Sequence, residues 1–335
     1  MKRNSKVFFF RFNCGGMWGL GHLYRNLLLI QKMSERGNKC IAIINDFNVT
    51  KKVLSENHIL YYVVSEFETP EEMLSIIDQY ENETNDKIIF FDRLNSNKDY
   101  INRILSCGYK ILCFDDYDSS ALLATEVINT RKVLINGSKI SLCGPQYQIL
   151  RDDVVKFAKM KKYINENVQK VLVHFGGTDP LNILSLAFEA IKDLTCIEFI
   201  LIGGKGVSNE SIKTLADNMK NIFYYQTSPQ FCQMLYEADI AIISGGVTMF
   251  ETAAIGTPMI LINHNEDQNM AANIFKQNAG VVNLGVGNTV TVEEIKKSLS
   301  NLISDYNKRQ VMSYRLKTFV DAEGTERVCK CLENI

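Results

Sequence analysis

The chain has 335 residues, 46% of them hydrophobic, and its 37 basic and 38 acidic residues leave a net charge of −1. That is length enough for two domains of ordinary size, each with a core of its own. The charge balance lacks the basic surplus that nucleic acid or an anionic membrane surface attracts. No apolar run approaches the roughly 18 residues of a membrane span. The run Val7–Phe10 behind the basic Met1–Lys6 stops at Arg11, too short for the core of a signal peptide. The nine cysteines are scattered, with no CxxC pair and no Cys/His ligand spacing. A structural zinc is therefore not expected, and free thiols fit a reducing cytoplasm.

In chain order, Lys6–Phe12 reads as a buried strand. It runs into a loop, residues 13–22, that holds Gly15, Gly16, Gly19 and Gly21, too many glycines for helix interior. A helix follows through Leu27–Ile30. Strands are predicted at Cys40–Asn45, Ile59–Val64, Lys87–Phe91, Lys110–Phe114 and around Val127, with helices at Val53, Glu71–Tyr80 and Tyr100–Cys107 between them. Pro70 suits the first position of its helix. Gly144-Pro-Gln-Tyr147 and the charged residues 152–162 mark the exit from this first unit. The pattern restarts at Lys170–Val173 and continues through strands at Ile197–Ile202, Ile222–Tyr225, Ile240–Ile243, Pro258–Ile262 and Val281–Val282. The intervening helices are Leu184–Ile191, Ile212–Met219, Gln230–Tyr236, one beginning near Val247, and Met270–Gln277. Val292–Leu302 is helical, and Tyr306–Cys331 is mostly helical with a break near Gly324.

Strands alternating with helices predict parallel sheets covered on both faces. Such sheets take ligands outside the carboxyl ends of their strands. The loops richest in special residues fall there: 13–22, 92–95 and 115–116 in the first half, then 175–180, 203–206, 245–251 and 263–268 in the second. Two facing crevices predict a cleft between domains that holds a small ligand. The turn Ser244-Gly-Gly-Val-Thr248 stands out. Gly245 and Gly246 clear side chains from a strand-to-helix corner, and the helix N-terminus behind them offers free N–H groups to a phosphate. The plainer reading is a tight turn in which Thr248 and Glu251 form a capping box.

Five segments carry a resemblance: Gly19-Leu-Gly-His22-Leu-Tyr-Arg25; Gly144-Pro-Gln-Tyr-x-x-Leu-Arg151; Gly176-Gly-Thr-Asp-Pro180; Gly245-Gly-Val-Thr-x-x-Glu251; and Asp321-Ala-Glu-Gly324 with Arg327. In this order they resemble the PseG/SpsG family, whose best-known activity is hydrolysis of a UDP-sugar in pseudaminic acid synthesis. That family is similar to the MurG-type glycosyltransferases. The resemblance implies a GT-B fold, α/β with two Rossmann-like doubly wound domains, here residues 1–151 and 152–318. It implies a final segment, 319–335, crossing back to the first domain, and a nucleotide-sugar in the cleft. It places Asn13, Gly21, His22, Arg25 and Asp92 on the sugar and catalytic side. Gly176, Gly177, Gly245, Gly246, Thr248, Glu251, Asp267 and Gln268 fall among the substrate-binding positions, with Glu251 on the ribose. The chain departs from the family at Asn13, where an acidic residue is usual, at Leu94, where tyrosine is common, and at Asp267, where asparagine is.

His22 is the leading catalytic candidate. An imidazole titrates near neutrality and can take a proton from the attacking water, and a helix N-terminus beside it would favour the neutral ring. The plainer role is a loop or helix cap. Asp92, Asp115 and Asp116 end strands on the same edge and could orient His22 or meet sugar hydroxyls, or could cap the helices that follow. Arg25 could hold a phosphate or make an ion pair. Asp179-Pro180 reads as a helix start with proline first, and His174 and His264 read as structural. The activity expected is hydrolysis of a UDP-sugar to a modified hexose and UDP, without metal or other cofactor. A glycosyltransferase and a binding protein without turnover are the alternatives. Oligomeric state is not readable.

Overall fold

The structure is a computed structural model, described here for residues 6–15, 20–80, 87–93, 97–131, 134–135, 138–140, 142–204 and 210–335. The chain divides into two units, Met1–Arg151 with Glu323–Ile335, and Asp152–Ala322.

In the first unit a seven-stranded sheet has the order β3-β2-β1-β4-β5-β6-β9. The strands are β1 (Val7–Phe12), β2 (Lys39–Asn45), β3 (Tyr61–Val64), β4 (Lys87–Asp92), β5 (Lys110–Phe114), β6 (Glu126–Asn129) and β9 (Leu142–Cys143), and every pairing is parallel. Between β6 and β9 lies a small antiparallel pair, β7 (Leu134–Ile135) and β8 (Ser138–Lys139). The helices are α1 (Gly21–Glu35), α2 (Asn48–Glu56), α3 (Pro70–Ile77) and α4 (Lys98–Ser106). β1 is buried along its whole length, as a central parallel strand must be. Its alternate side chains serve two cores. Val7 and Phe9 pack with Met73, Ile77, Ile101 and Ile104 of α3 and α4. Phe8, Phe10 and Phe12 pack with Leu23, Leu29 and Met33 of α1 and with Val328 and Leu332 of α13 (Gly324–Asn334).

α13 completes this unit from the far end of the chain. A Cβ on Gly324 would lie 2.2 Å from the carbonyl oxygen of Gln148, so only glycine lets the helix start there. Arg327 donates to the Gln146 carbonyl at 2.8 Å, and Arg36, just past the end of α1, pairs with Glu326 at 2.6 Å and Glu333 at 3.1 Å. Two of the five segments singled out in the sequence, 144–151 and 321–327, are thus in contact with each other.

The second unit holds a six-stranded parallel sheet, order β12-β11-β10-β13-β14-β15. Its strands are β10 (Lys170–His174), β11 (Glu198–Ile202), β12 (Ile222–Tyr225), β13 (Ile240–Ile243), β14 (Met259–Asn263) and β15 (Val282–Val286). Around them lie α5 (Asp152–Ala158), α6 (Ile183–Ile191), α7 (Glu210–Asp217), α8 (Phe231–Glu237), α9 (Val247–Ile255), α10 (Glu266–Ala279), α11 (Val292–Ser304) and α12 (Tyr306–Phe319).

Two helix starts beside the candidate site differ from expectation, and a third, at Val247 as expected, lacks the side-chain cap of the plainer reading. α10 begins at Glu266 rather than Met270, because the Asn265 side chain accepts the Gln268 N–H at 3.0 Å and caps it. α6 begins at Ile183, so Pro180 is not its first residue. The Asp179 carboxylate reaches forward to accept the N–H groups of Ile183 and Leu184, each at 2.9 Å. α9 starts at Val247 behind Gly246 with no side-chain cap. Thr248 is already inside the helix, so it and Glu251 do not form the capping box.

Candidate active site

In both sheets the strand order reverses at the centre, between β1 and β4 and between β10 and β13. At such a reversal the connections leave to opposite sides, and a crevice opens at the carboxyl ends. The predicted site residues of the first unit follow β1 or end β4. Those of the second follow β10, β13 or β14.

On the α1 face of the first unit, Asp92 is the hub. Its side chain is fully buried and accepts from three residues of the first turns of α1. His22 Nδ1 lies 2.9 Å from Oδ1, Arg25 Nε donates to Oδ2 at 2.6 Å, and Asn26 Nδ2 donates to Oδ2 at 2.6 Å. A second Arg25 nitrogen, Nη2, also donates to Oδ1. Spacings of three and four residues put His22, Arg25 and Asn26 on one side of the helix. Arg25 Nη1 lies 3.3 Å from Asp115, whose carboxylate is held by the Thr130 N–H and hydroxyl at 2.7 and 2.9 Å. Asp115 takes a left-handed φ of 53°, which the two Thr130 bonds help to hold. Asp116 is buried in the same turn, where its carboxylate accepts the Asp118 N–H.

Burial pushes the Asp92 carboxyl up, but the Arg25 charge, His22 and their hydrogen bonds outweigh it, and the group is held well below the usual carboxylate range. Burial works against the Arg25 charge as well, and Asp92 and Asp115 more than offset it. His22 Nδ1 faces both Asp92 Oδ1 at 2.9 Å and Arg25 Nη2 at 3.0 Å. The buried anion is the stronger partner, and Arg25 Nη2 already has Oδ1 to donate to. The network therefore assigns the ring proton to Nδ1 and leaves Nε2 as the acceptor. The His22 side chain keeps 13% of its surface exposed. Gly21 opens α1, and a Cβ there would meet nothing within 4 Å.

Asn13 belongs to a different network, on the α3 and α4 face. Arg11, charged yet fully buried in β1, pairs with both Glu68 oxygens at 2.8 and 2.6 Å and donates from Nη1 to Asn13 Oδ1 at 2.8 Å. Glu68 also accepts from Arg93 at 2.7 Å and from the Tyr100 hydroxyl at 2.9 Å.

The second unit has a different kind of edge. Gly176 takes φ 88°, and a Cβ on either Gly176 or Gly177 would meet nothing. Gly204 presses on both, since its Cβ would fall 2.3 Å from the Gly176 oxygen. His264 Nε2 donates to the Phe175 carbonyl at 2.7 Å and ties the loop after β14 to the loop after β10. His174 is a strand residue whose Nδ1 meets the Ile202 carbonyl at 2.9 Å, and burial lowers its pKa. The Gly245 N–H donates to Asn263 Oδ1 at 3.0 Å, so it is not open to a phosphate. The first-turn N–H groups of Val247 and Thr248 have no intrahelical acceptor. Gln268 borders this turn, its Nε2 lying 3.8 Å from a Cβ built on Gly246. Its Oε1 accepts from the His264 N–H. Glu251 is buried one turn into α9, while Asp267 is exposed in the first turn of α10. Gly19, Leu94 and residues 205–206 lie outside the described residues.

Asn26, Arg11, Glu68 and Asn263 were missed in the sequence. Arg11 gave a signal, a charge inside the apolar run Val7–Phe12. Asn26 follows Arg25 in the motif, and Glu68 and Asn263 carry no local mark. Among the described residues no group of three His, Cys, Asp or Glu could hold a metal ion, and no helix is long and apolar enough to cross a membrane.

This architecture is that of solved GT-B structures. MurG of Acinetobacter baumannii superposes with a TM-score of 0.74 at 13% identity, over 99% of this chain and 100% of that one. A UDP-GlcNAc 2-epimerase from Neisseria meningitidis, bound to UDP-GlcNAc, gives 0.64 at 12% identity over 98% and 100%. The chain is a GT-B protein. Residues 171–328 match the glycosyltransferase family 28 C-terminal domain. Over 329 residues, 95% of each chain, it is 22% identical to the spore coat polysaccharide biosynthesis protein SpsG of Bacillus subtilis (strain 168). The chain is thus similar to SpsG over most of its length and to MurG in fold.

Proposed function

We propose that this protein hydrolyses a UDP-sugar, releasing UDP and a free modified hexose for surface polysaccharide or nonulosonate synthesis in the cytoplasm. The observation that carries the reading is the His22–Asp92 pair. Asp92 is anionic across the neutral range, so it is not the proton acceptor. It holds the Nδ1 proton of His22 and leaves Nε2 to act as base. Water attacks the anomeric carbon, its proton goes to Nε2, and the bond from that carbon to the phosphate oxygen breaks. UDP departs as a stable anion and needs no proton. The second unit binds the nucleotide. Val247 and Thr248 N–H groups and the positive end of α9 meet the diphosphate, Glu251 accepts the ribose hydroxyls, and the open Gly176-Gly177 backbone lets the nucleotide approach closely. Asp267 and Gln268 contact the sugar side of the ligand. The reaction uses no metal or other cofactor.

One finding favours a second reading. The match to a glycosyltransferase domain fits a transferase in which an acceptor hydroxyl takes the place of water. A panel of UDP-sugars incubated in H₂¹⁸O, with and without candidate acceptors, separates the two. Hydrolysis predicts UDP release without acceptor and ¹⁸O in the sugar rather than the UDP. Release only with an acceptor establishes transfer, and binding without release leaves a binding protein.

A further inference from the structure

The Arg11–Glu68 network contains one group with nothing to bond. Asn13 is 2% exposed, and its Nδ2 has no hydrogen-bond partner. Flipping the amide does not repair this. Arg11 Nη1 is a pure donor 2.8 Å from Oδ1, and a flip would set an NH₂ against it. The oxygen is thus pinned on Arg11 and the NH₂ is turned away. A buried donor left without an acceptor is unfavourable, which makes this amide a donor awaiting one. Arg93 joins the same network. β1 and β4 end paired at Phe12 and Asp92, and Asn13 and Arg93 directly follow the two strands. Both join Glu68, Arg93 directly and Asn13 through Arg11. Among the described residues Glu68 is the one carboxylate bonded to either guanidinium, so the two arginines and one glutamate leave a formal charge of +1. The side chains are almost wholly withdrawn from water, at 0% exposure for Arg11 and Glu68 and 15% for Arg93. An uncompensated positive charge beside an orphan donor calls for an anion that accepts hydrogen bonds.

We infer that the Asn13–Arg93 corner binds a carboxylate carried on the sugar of the nucleotide-sugar, as in a uronic acid. The inference rests on the nucleotide-sugar reading and adds the class of sugar. Asn13 is a specificity residue, and Arg11 and Glu68 are its positioning residues.

The test is calorimetry of the wild type and Asn13→Asp with UDP, UDP-glucose, UDP-N-acetylglucosamine and UDP-glucuronate. Asn13→Asp keeps an acceptor facing Arg11, so the fold should hold, but it replaces the donor with an anion. The expected wild-type pattern is UDP-glucuronate bound at least tenfold tighter than the other two sugars. Asn13→Asp should erase that preference at unchanged UDP affinity. Equal affinities in the wild type, a preference for the acyl carbonyl of UDP-N-acetylglucosamine, or a preference that survives Asn13→Asp would each overturn the inference. If circular dichroism shows Asn13→Asp unfolded, Asn13→Ser removes the amide donor and makes the same test. Absence of UDP binding would count against the nucleotide reading alone. Titration with free glucuronate then decides, because the Asn13 side-chain amide resonance must shift with glucuronate and not with glucose, and a resonance that stays still overturns the inference.

Discussion

At the carboxyl ends of β1 and β4 the protein buries Arg11, Glu68 and Asp92 and nearly buries Arg25, each tied to at least two partners. At the equivalent ends of β10 and β13 it presents Gly176, Gly177, Gly245 and Gly246, with backbone N–H groups and few charges. The two edges occupy the same place in the same kind of sheet, so fold alone does not set what an edge offers a ligand. A backbone edge suits a group that is the same in every substrate of a class, because N–H groups and a helix end recognise phosphate without side chains. A charged edge fixes single atoms, Nε2 of His22 and Nδ2 of Asn13, in one orientation each. The backbone edge should be damaged by adding atoms, and the charged edge by removing them.

The largest effect expected from that contrast is on turnover. His22→Asn should lower UDP release by about 10²–10⁴-fold, the worth of a positioned base, while UDP affinity measured by calorimetry stays unchanged. Equal loss of affinity and turnover would break the division of labour between the edges.

Asp92→Asn comes next. It leaves the Arg25 charge with Asp115 alone, at 3.3 Å, a loss of about 3 kcal/mol in unfolding free energy at pH 7, read by urea denaturation. The pH dependence has a definite sign. The Asp92 carboxyl is held below its unfolded value of about 3.9, so its contribution is complete above that pH and is lost as the pH falls through the folded value. Wild-type and Asp92→Asn stabilities should therefore differ most near neutrality and converge in acid. A gap that stays constant with pH would mean that Asp92 stabilises by packing rather than by charge.

The smallest effects sharpen the other side of the comparison. Gly245→Ala drives a Cβ to 2.4 Å from Asn263 Oδ1 and 2.7 Å from the Gln268 carbonyl. It should cost about 1–3 kcal/mol in stability, as overpacking does, and weaken UDP binding by displacing the turn. Gly177→Ala meets nothing within 4 Å and should melt like the wild type. If its UDP affinity falls all the same, the ligand approaches that backbone closely. If both stability and affinity are untouched, Gly177 lies away from the ligand.

Much of this was legible beforehand because parallel strands announce themselves. Runs such as Lys170–Val173 and Ile240–Ile243 are apolar on both faces, and the special residues that interrupt them fall at carboxyl ends. His22, Arg25 and Asp92 could each be named from the chain. Their union could not, since 70 residues separate His22 from Asp92 and only the β1–β4 pairing brings them to 2.9 Å. Glu68 was hidden for another reason. It sits in a short charged stretch before Pro70, where a carboxylate ordinarily faces water, and only the buried Arg11 gives it a place inside. The capping box failed by two residues, since the N-cap is Gly246. Thr248 and Glu251 have the right spacing, but α9 starts at Val247, which moves Thr248 past the capping position.

The return of α13 to the first unit sets an order of events during synthesis. Val328 and Leu332 belong to the same core as Phe8 and Phe10 and are made more than 300 residues later. The second unit, Asp152–Ala322, is contiguous and can fold as soon as it has left the ribosome. The first unit emerges earlier yet stays unfinished, with part of the sheet face it shares with α1 left open, until residues 324–334 have been made. A nascent chain stalled near residue 322 would therefore expose aromatic surface to chaperones from the half of the protein that was made first.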